Sequence, residues 1–276
     1  MNSLIERDIL LFNSVKINAN YCRWWILGTV VLLNFANYAH WIAFPAVAKK
    51  VIEHCTVTLN MNQWDIAYFQ AAAYYDITGA QVDLIPTISY AAGIPTCLIA
   101  TYLIESRGLK TGVKIGAYLT GVGGLLCCLS TFPGLNKSVP KEVQYWLAVV
   151  GQGITGVACP FISGVPTKIS QHWFPDRQRT MATTLLGLSY PLGIVLGQGV
   201  TPALVQHPSD IPYMNIAFFC PAIIGTLLGI FLVRRNLPQT PPSASEEQQR
   251  GLEENNNLKK LVRNFPNSIV LKFISF

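Results

Sequence analysis

Apolar runs of about 20 residues recur along this chain, and a run of that length crosses a bilayer core of about 30 Å. Short polar turns separate them. The pattern is plainest around Thr101 to Gly116 (TYLIESRGLKTGVKIG), where Glu105, Arg107 and Lys110 surround Gly108 and apolar sequence extends on both sides. Gly108 turns the backbone at little steric cost. Such a segment reads as a tight hairpin between two membrane-spanning helices, with charge at the surface and hydrocarbon on either side. The runs fall at about 24–47, 84–104, 112–132, 144–166, 179–203 and 214–233. The chain is therefore expected to be an all-α membrane protein with six transmembrane helices.

Composition agrees. Hydrophobic residues make up 51% of the chain and charged residues only 12%, against about 25% charged in soluble domains. In lipid only helices and closed barrels satisfy the backbone, and runs of this length select helices. A nucleic-acid module would show clustered basic residues, and none are seen, so nucleic acid is not an expected partner. Of the seven cysteines, Cys97, Cys127, Cys128, Cys159 and Cys220 lie in apolar runs, Cys22 just before one, and Cys55 alone in a loop. They read as small packing residues rather than a disulfide framework.

The sequence divides into a cytoplasmic tail (1–22), a six-helix half-bundle (23–235), and a polar linker with an incomplete seventh helix (236–276). In the tail, Glu6 precedes Leu10 and Leu11 in the acidic-x-x-x-Leu-Leu form of an endosomal or lysosomal sorting signal. The alternative is a small amphipathic turn on the membrane surface. The first run is too long and starts too late for a secretory signal, so it reads as an uncleaved helix. Residues 48–83 form the longest polar loop. With the N-terminus inside, the inner segments hold Arg7, Lys16, Arg23, Arg107, Lys110, Lys114, Lys168, Arg177, Arg179, Arg234 and Arg235. The outer loops hold Lys49, Lys50, Lys137 and Lys141. This bias puts both termini in the cytoplasm, at the plasma membrane or an endosomal or lysosomal membrane. Asn136-Lys137-Ser138 is a glycosylation sequon on the outer side, and its short loop predicts that it stays unoccupied.

The first span is polar at its centre. Asn34, Asn37 and Trp41 stand at i, i+3 and i+7, on one helical face, with His40 beside them. Such a stripe marks a solute pathway, or else bonds across a packed helix interface. Trp41 offers an aromatic face to an organic cation. Tyr90, Gln152, Cys159, Tyr190 and Gln198 are further cavity candidates, each with ordinary packing as the alternative. No paired carboxylates, metal-ligand cluster or Ser/His/Asp set stands at a useful spacing, so neither an enzyme nor a cofactor or metal is expected. At the inner surface, His172 to Thr180 gathers aromatic and charged residues, Asp176, Arg177 and Arg179 among them, ahead of a new helix. Paired with the Glu105–Lys110 turn, it suggests a cytoplasmic gate of salt bridges. The alternative is a basic loop that only sets orientation.

These residues carry a family resemblance. Glu105 to Lys110 is similar to the loop between the second and third helices of the major facilitator superfamily: an acid, a basic residue, any residue, Gly, then two basic residues. Ser106 and Leu109 stand here where that pattern is basic. Trp173 to Thr183 resembles, more specifically, the loop and fifth-helix start of solute carrier family 49, the feline leukaemia virus subgroup C receptor-related transporters. Leu33 to Asn37 with Trp41, Asp210-Ile211-Pro212 with Met214, and Thr240 to Ala244 resemble most closely that family's third, major-facilitator-domain-containing branch. The similarity covers about 20–240, with an apparent insertion around 56–76.

The resemblance implies twelve helices in two six-helix halves with the substrate between them, and this chain supplies one such half plus the start of a seventh helix. It also implies transport of a small organic solute. Relatives move choline, haem-related compounds or a B6 vitamer. In the choline carriers a first-helix Trp of an aromatic cage falls on Trp41, a second-helix Tyr on Tyr90, and a fourth-helix Gln on Cys159, where the exchange removes a polar contact. The expected partners are the bilayer, a small-molecule substrate, and a second half or full-length relative. The rival expectation is a non-transporting membrane protein that pairs with or regulates a full-length relative.

Overall fold

The computed structural model describes residues 23–43, 71–132, 134, 139–205 and 207–234. Every long element among them is an α-helix: α1 (23–42), α2 (Gly79–Arg107), α3 (Leu109–Ser130), α4 (Lys141–Ser163), α5 (Pro166–Trp173), α6 (Asp176–Leu204) and α7 (Ile211–Leu232). A helical turn at 71–75 precedes α2, and a 3₁₀ turn, Pro208–Asp210, precedes α7. Five stretches are long and apolar enough to cross a membrane: Gly79–Arg107, Leu109–Ser130, Lys141–Trp173, Asp176–Thr201 and Pro208–Leu232. The α1 helix, more polar at its centre, packs among them and completes six long helices that alternate in direction.

Two boundaries differ from the sequence expectation for local reasons. The α2 helix starts at Gly79, inside the stretch read as loop, because the Thr78 backbone N–H donates to Gln81 Oε1 at 2.9 Å and so satisfies a donor that a helix start leaves open. The segment before α6 is not a plain loop. Pro166 begins the eight-residue helix α5, and proline fits a first helical turn because its missing N–H is not needed there. The α5 helix buries Ile169 and Trp173 one turn apart, with Phe174 after them.

Two apolar clusters fill the bundle. One gathers Leu33 of α1, Ile104 of α2, Val113 of α3, Phe161 and Ile162 of α4, and the α5 side chains. The other gathers Ala39 of α1, Ile85 of α2, Tyr145 and Val149 of α4, and Met214 and Phe218 of α7. Buried polar residues separate them at mid-height: Asn34 and Asn37 in α1, Ser89 in α2, Thr120 in α3, and Gln152 and Thr155 in α4. Close approach of the helices relies on small residues, as in membrane bundles generally. A Cβ at Gly123 would lie 2.7 Å from the Gly151 carbonyl oxygen, and one at Gly121 would lie 2.8 Å from Thr226 Oγ1. These contacts join α3 to α4 and to α7.

Candidate functional site

The polar layer opens into a cavity of about 210 Å³ on the α1, α2, α4 and α6 side. Asn37, Tyr38 and Trp41 line it from α1, Ser89 and Tyr90 from α2, Thr155, Gly156 and Cys159 from α4, and Tyr190 from α6. Two aromatic pairs shape it. Trp41 meets Tyr90 edge-on, ring centroids 4.8 Å apart, and Tyr38 meets Tyr190 edge-on at 4.4 Å. Aromatic pairs favour this geometry because the positive ring edge meets the negative ring face. Tyr90 and Tyr190 remain 59% and 46% exposed, so the aromatic lining is open on the side that the bundle does not cover.

Gln152 organises the layer behind the cavity. Its side-chain amide donates to the His40 carbonyl at 3.2 Å and makes a longer contact, 3.5 Å, to His40 Nδ1. Its carbonyl oxygen accepts from Ser89 Oγ at 3.4 Å and Thr155 Oγ1 at 3.3 Å. One fully buried side chain thereby links α1, α2 and α4, and holds the α1 backbone next to Trp41. Asn37 donates to Thr120 Oγ1 at 3.3 Å and to the Thr155 carbonyl at 3.1 Å. Its two N–H groups thus serve the helix interface, while the residue also lines the cavity. Cys159 donates to the Tyr38 hydroxyl at 3.1 Å.

Of the residues singled out in the sequence, Asn37, Trp41, Tyr90, Cys159 and Tyr190 meet in this cavity. Asn34 does not. It lines a second cavity of about 240 Å³ with Tyr38, Ser163, Pro166, Leu186, Gly187 and Tyr190. The cavity also takes in Tyr38, Ser89, Thr155 and Gly156. Tyr38 is legible in the sequence, one turn from Asn34 on the same face of α1. The hydroxyls of α2 and α4 carried no signal, since Ser and Thr occur widely in membrane helices.

The Major Facilitator Superfamily profile matches residues 23–276. The chain belongs to the major facilitator superfamily. Similar members include the Xenopus tropicalis solute carrier family 49 member A3, 30% identical over 223 residues, which are 81% of this chain and 42% of that protein. An uncharacterized Caenorhabditis elegans protein is 29% identical over 88% of this chain and 43% of its own length. The Felis catus choline/ethanolamine transporter FLVCR1 is 26% identical over 85% of this chain and 39% of its own length. The chain thus spans less than half the length of the curated relatives it matches. Its helices fit one half of a major facilitator bundle.

The superfamily turn between α2 and α3 lies at the end of the bundle that also carries α5. Gly108 adopts φ 86°, a left-handed conformation that suits glycine. The Ile104 carbonyl accepts from the Gly108 N–H at 3.1 Å and from Lys168 Nζ at 3.4 Å. Lys168 therefore ties the α4–α5 segment to the α2 terminus, a link the sequence did not suggest. Asp176 and Arg179 pair at 2.8 Å within the first turn of α6. Arg179 also donates to the carbonyls of Phe174 at 3.3 Å and Gln171 at 3.1 Å, closing the α5–α6 turn. Glu105, Arg107 and Arg177 are exposed around this end. Glu6, Leu10 and Leu11 lie outside the described residues.

Proposed function

We propose that this chain forms the N-terminal half of an alternating-access transporter, and that the Trp41 cavity is its share of the binding site for a small organic cation of the choline or ethanolamine class. The observation that carries this reading is the aromatic lining itself. Trp41, Tyr90, Tyr38 and Tyr190 surround a space of about 210 Å³ whose lining residues include no carboxylate. Ring faces attract a cation without the desolvation cost of a buried acid. Relatives named as choline/ethanolamine transporters support the same class. Asn37 contributes a carbonyl oxygen, its N–H groups being engaged elsewhere, and Asn34 acts at the second cavity.

The second half docks over the open aromatic side. The Gly108 end is cytoplasmic, following the Lys/Arg bias. There Glu105, Arg107 and Lys110 from one turn, with Asp176, Arg177 and Arg179 from the other, close against the second half in the outward-facing state. Residence is the plasma membrane or the endosomal and lysosomal membranes, with Glu6, Leu10 and Leu11 as the sorting signal.

Uptake of radiolabelled choline and ethanolamine tests the reading, in cells expressing the chain alone and together with the C-terminal half of a relative. Uptake above background in the paired cells, and its loss in Trp41→Ala at equal surface level, is the expected result. No uptake in either case favours a non-transporting half.

A further inference from the structure

The two cavities follow one path. The first is lined by Trp41, Thr155 and Tyr190, the second by Asn34, Ser163 and Gly187. On α1, α4 and α6 alike, the second set lies nearer the Gly108 end, by about a turn or two of helix, each turn rising about 5.4 Å. Tyr38 and Tyr190 line both cavities, and their rings are in contact at 4.4 Å. Both rings are held in place. Cys159 bonds the Tyr38 hydroxyl. A Cβ at Gly193, three residues after Tyr190, would lie 2.6 Å from the Phe35 carbonyl oxygen and 3.2 Å from Tyr38 Cβ, so the absence of a side chain lets α6 sit directly on α1. Asn34, 3% exposed, gives the second cavity a buried amide.

We propose that the Tyr38–Tyr190 pair is a gate between two successive stations for the solute, the second cavity being a binding station for the same organic cation on its way to the Gly108 end. In the second station the cation faces the Tyr38 and Tyr190 rings and the Asn34 amide oxygen. Swinging of one ring joins the stations. This inference rests on the cation-site reading, but its test needs no transport.

The test follows the reaction of Cys159 with the cationic thiol reagent 2-(trimethylammonium)ethyl methanethiosulfonate. The full chain, paired with the C-terminal half of a relative so that the open aromatic side is covered, is reconstituted in liposomes with every cysteine but Cys159 replaced by Ala, and the reagent is supplied on the Gly108 side. Tyr190→Ala raises the rate by about tenfold, on the scale of one lost aromatic pair, while Tyr190→Phe, which keeps the ring, reacts as the parent does. A Cβ at Gly187 meets nothing within 4 Å, so the position accepts a side chain, and Gly187→Phe adds a ring to the lining of the second cavity. Added to Tyr190→Ala, it returns the rate to the parent's. An unchanged rate in Tyr190→Ala overturns the gate, as does a raised rate that Gly187→Phe leaves high. Either failure counts against the gate alone, since loss of the cation site is read separately by uptake.

Discussion

A Cβ placed on Gly156 would fall on the backbone of Ser89, 2.5 Å from its Cα. The α2 and α4 helices touch there with no side chain between them, and the same contact lets Ser89 Oγ reach the Gln152 backbone carbonyl at 2.8 Å. Gly156→Ala must push α2 away. Its cost is that of overpacking, about 1–3 kcal/mol, read as a lower melting temperature of the purified protein. Gly187→Ala is the control, because it meets open space and removes a flexible residue from a helix, so it leaves the melting temperature level or raises it. Equal melting behaviour of Gly156→Ala and the parent would mean that the helices do not meet there.

The Gln152 side chain ties together His40 of α1, Ser89 of α2 and Thr155 of α4. Gln152→Leu keeps the bulk but leaves the His40 carbonyl without its side-chain donor. Loss of a buried partner costs about 1–3 kcal/mol, so its melting temperature falls. Gln152→Ala, which also leaves a void, falls further. A Gln152→Leu variant as stable as the parent would show that the network contributes no net stability.

Orientation is tested by thiol labelling of intact cells with an impermeant reagent. A cysteine introduced at Lys137 is labelled from outside, and one at Lys110 only after permeabilisation. The reverse pattern would invert the bundle and place the Gly108 end outside.

Much of this fold is legible in the sequence because the bilayer leaves few choices. The length of each apolar run sets each helix, and Gly108 marks a turn that does need a positive φ. The Asn34–Asn37–Trp41 face is legible for a similar reason, since amides rarely stand in mid-membrane without partners. What they pair with is not legible. Asn37 reaches Thr120 and Thr155, residues 83 and 118 positions away, and nothing local announces that. Asn34 and Asn37 share a helical face yet line different cavities, because a one-turn step is enough to pass the Tyr38 ring. The charged turns suggest ion pairs from their residue types alone. One contact that joins the two segments, Lys168 on the Ile104 carbonyl, uses a backbone acceptor that sequence pattern does not mark.

The central claim is that the Trp41 ring helps bind an organic cation. It is tested most directly by equilibrium binding of radiolabelled choline and ethanolamine to the paired halves, comparing parent, Trp41→Phe and Trp41→Ala at matched protein. A cation over an aromatic face gains about 0.5–2 kcal/mol. Trp41→Ala should therefore weaken binding by about twofold to thirtyfold, with Trp41→Phe in between. Equal affinities for the parent and Trp41→Ala would contradict the account and leave the Asn34–Trp41 face as a helix-packing surface.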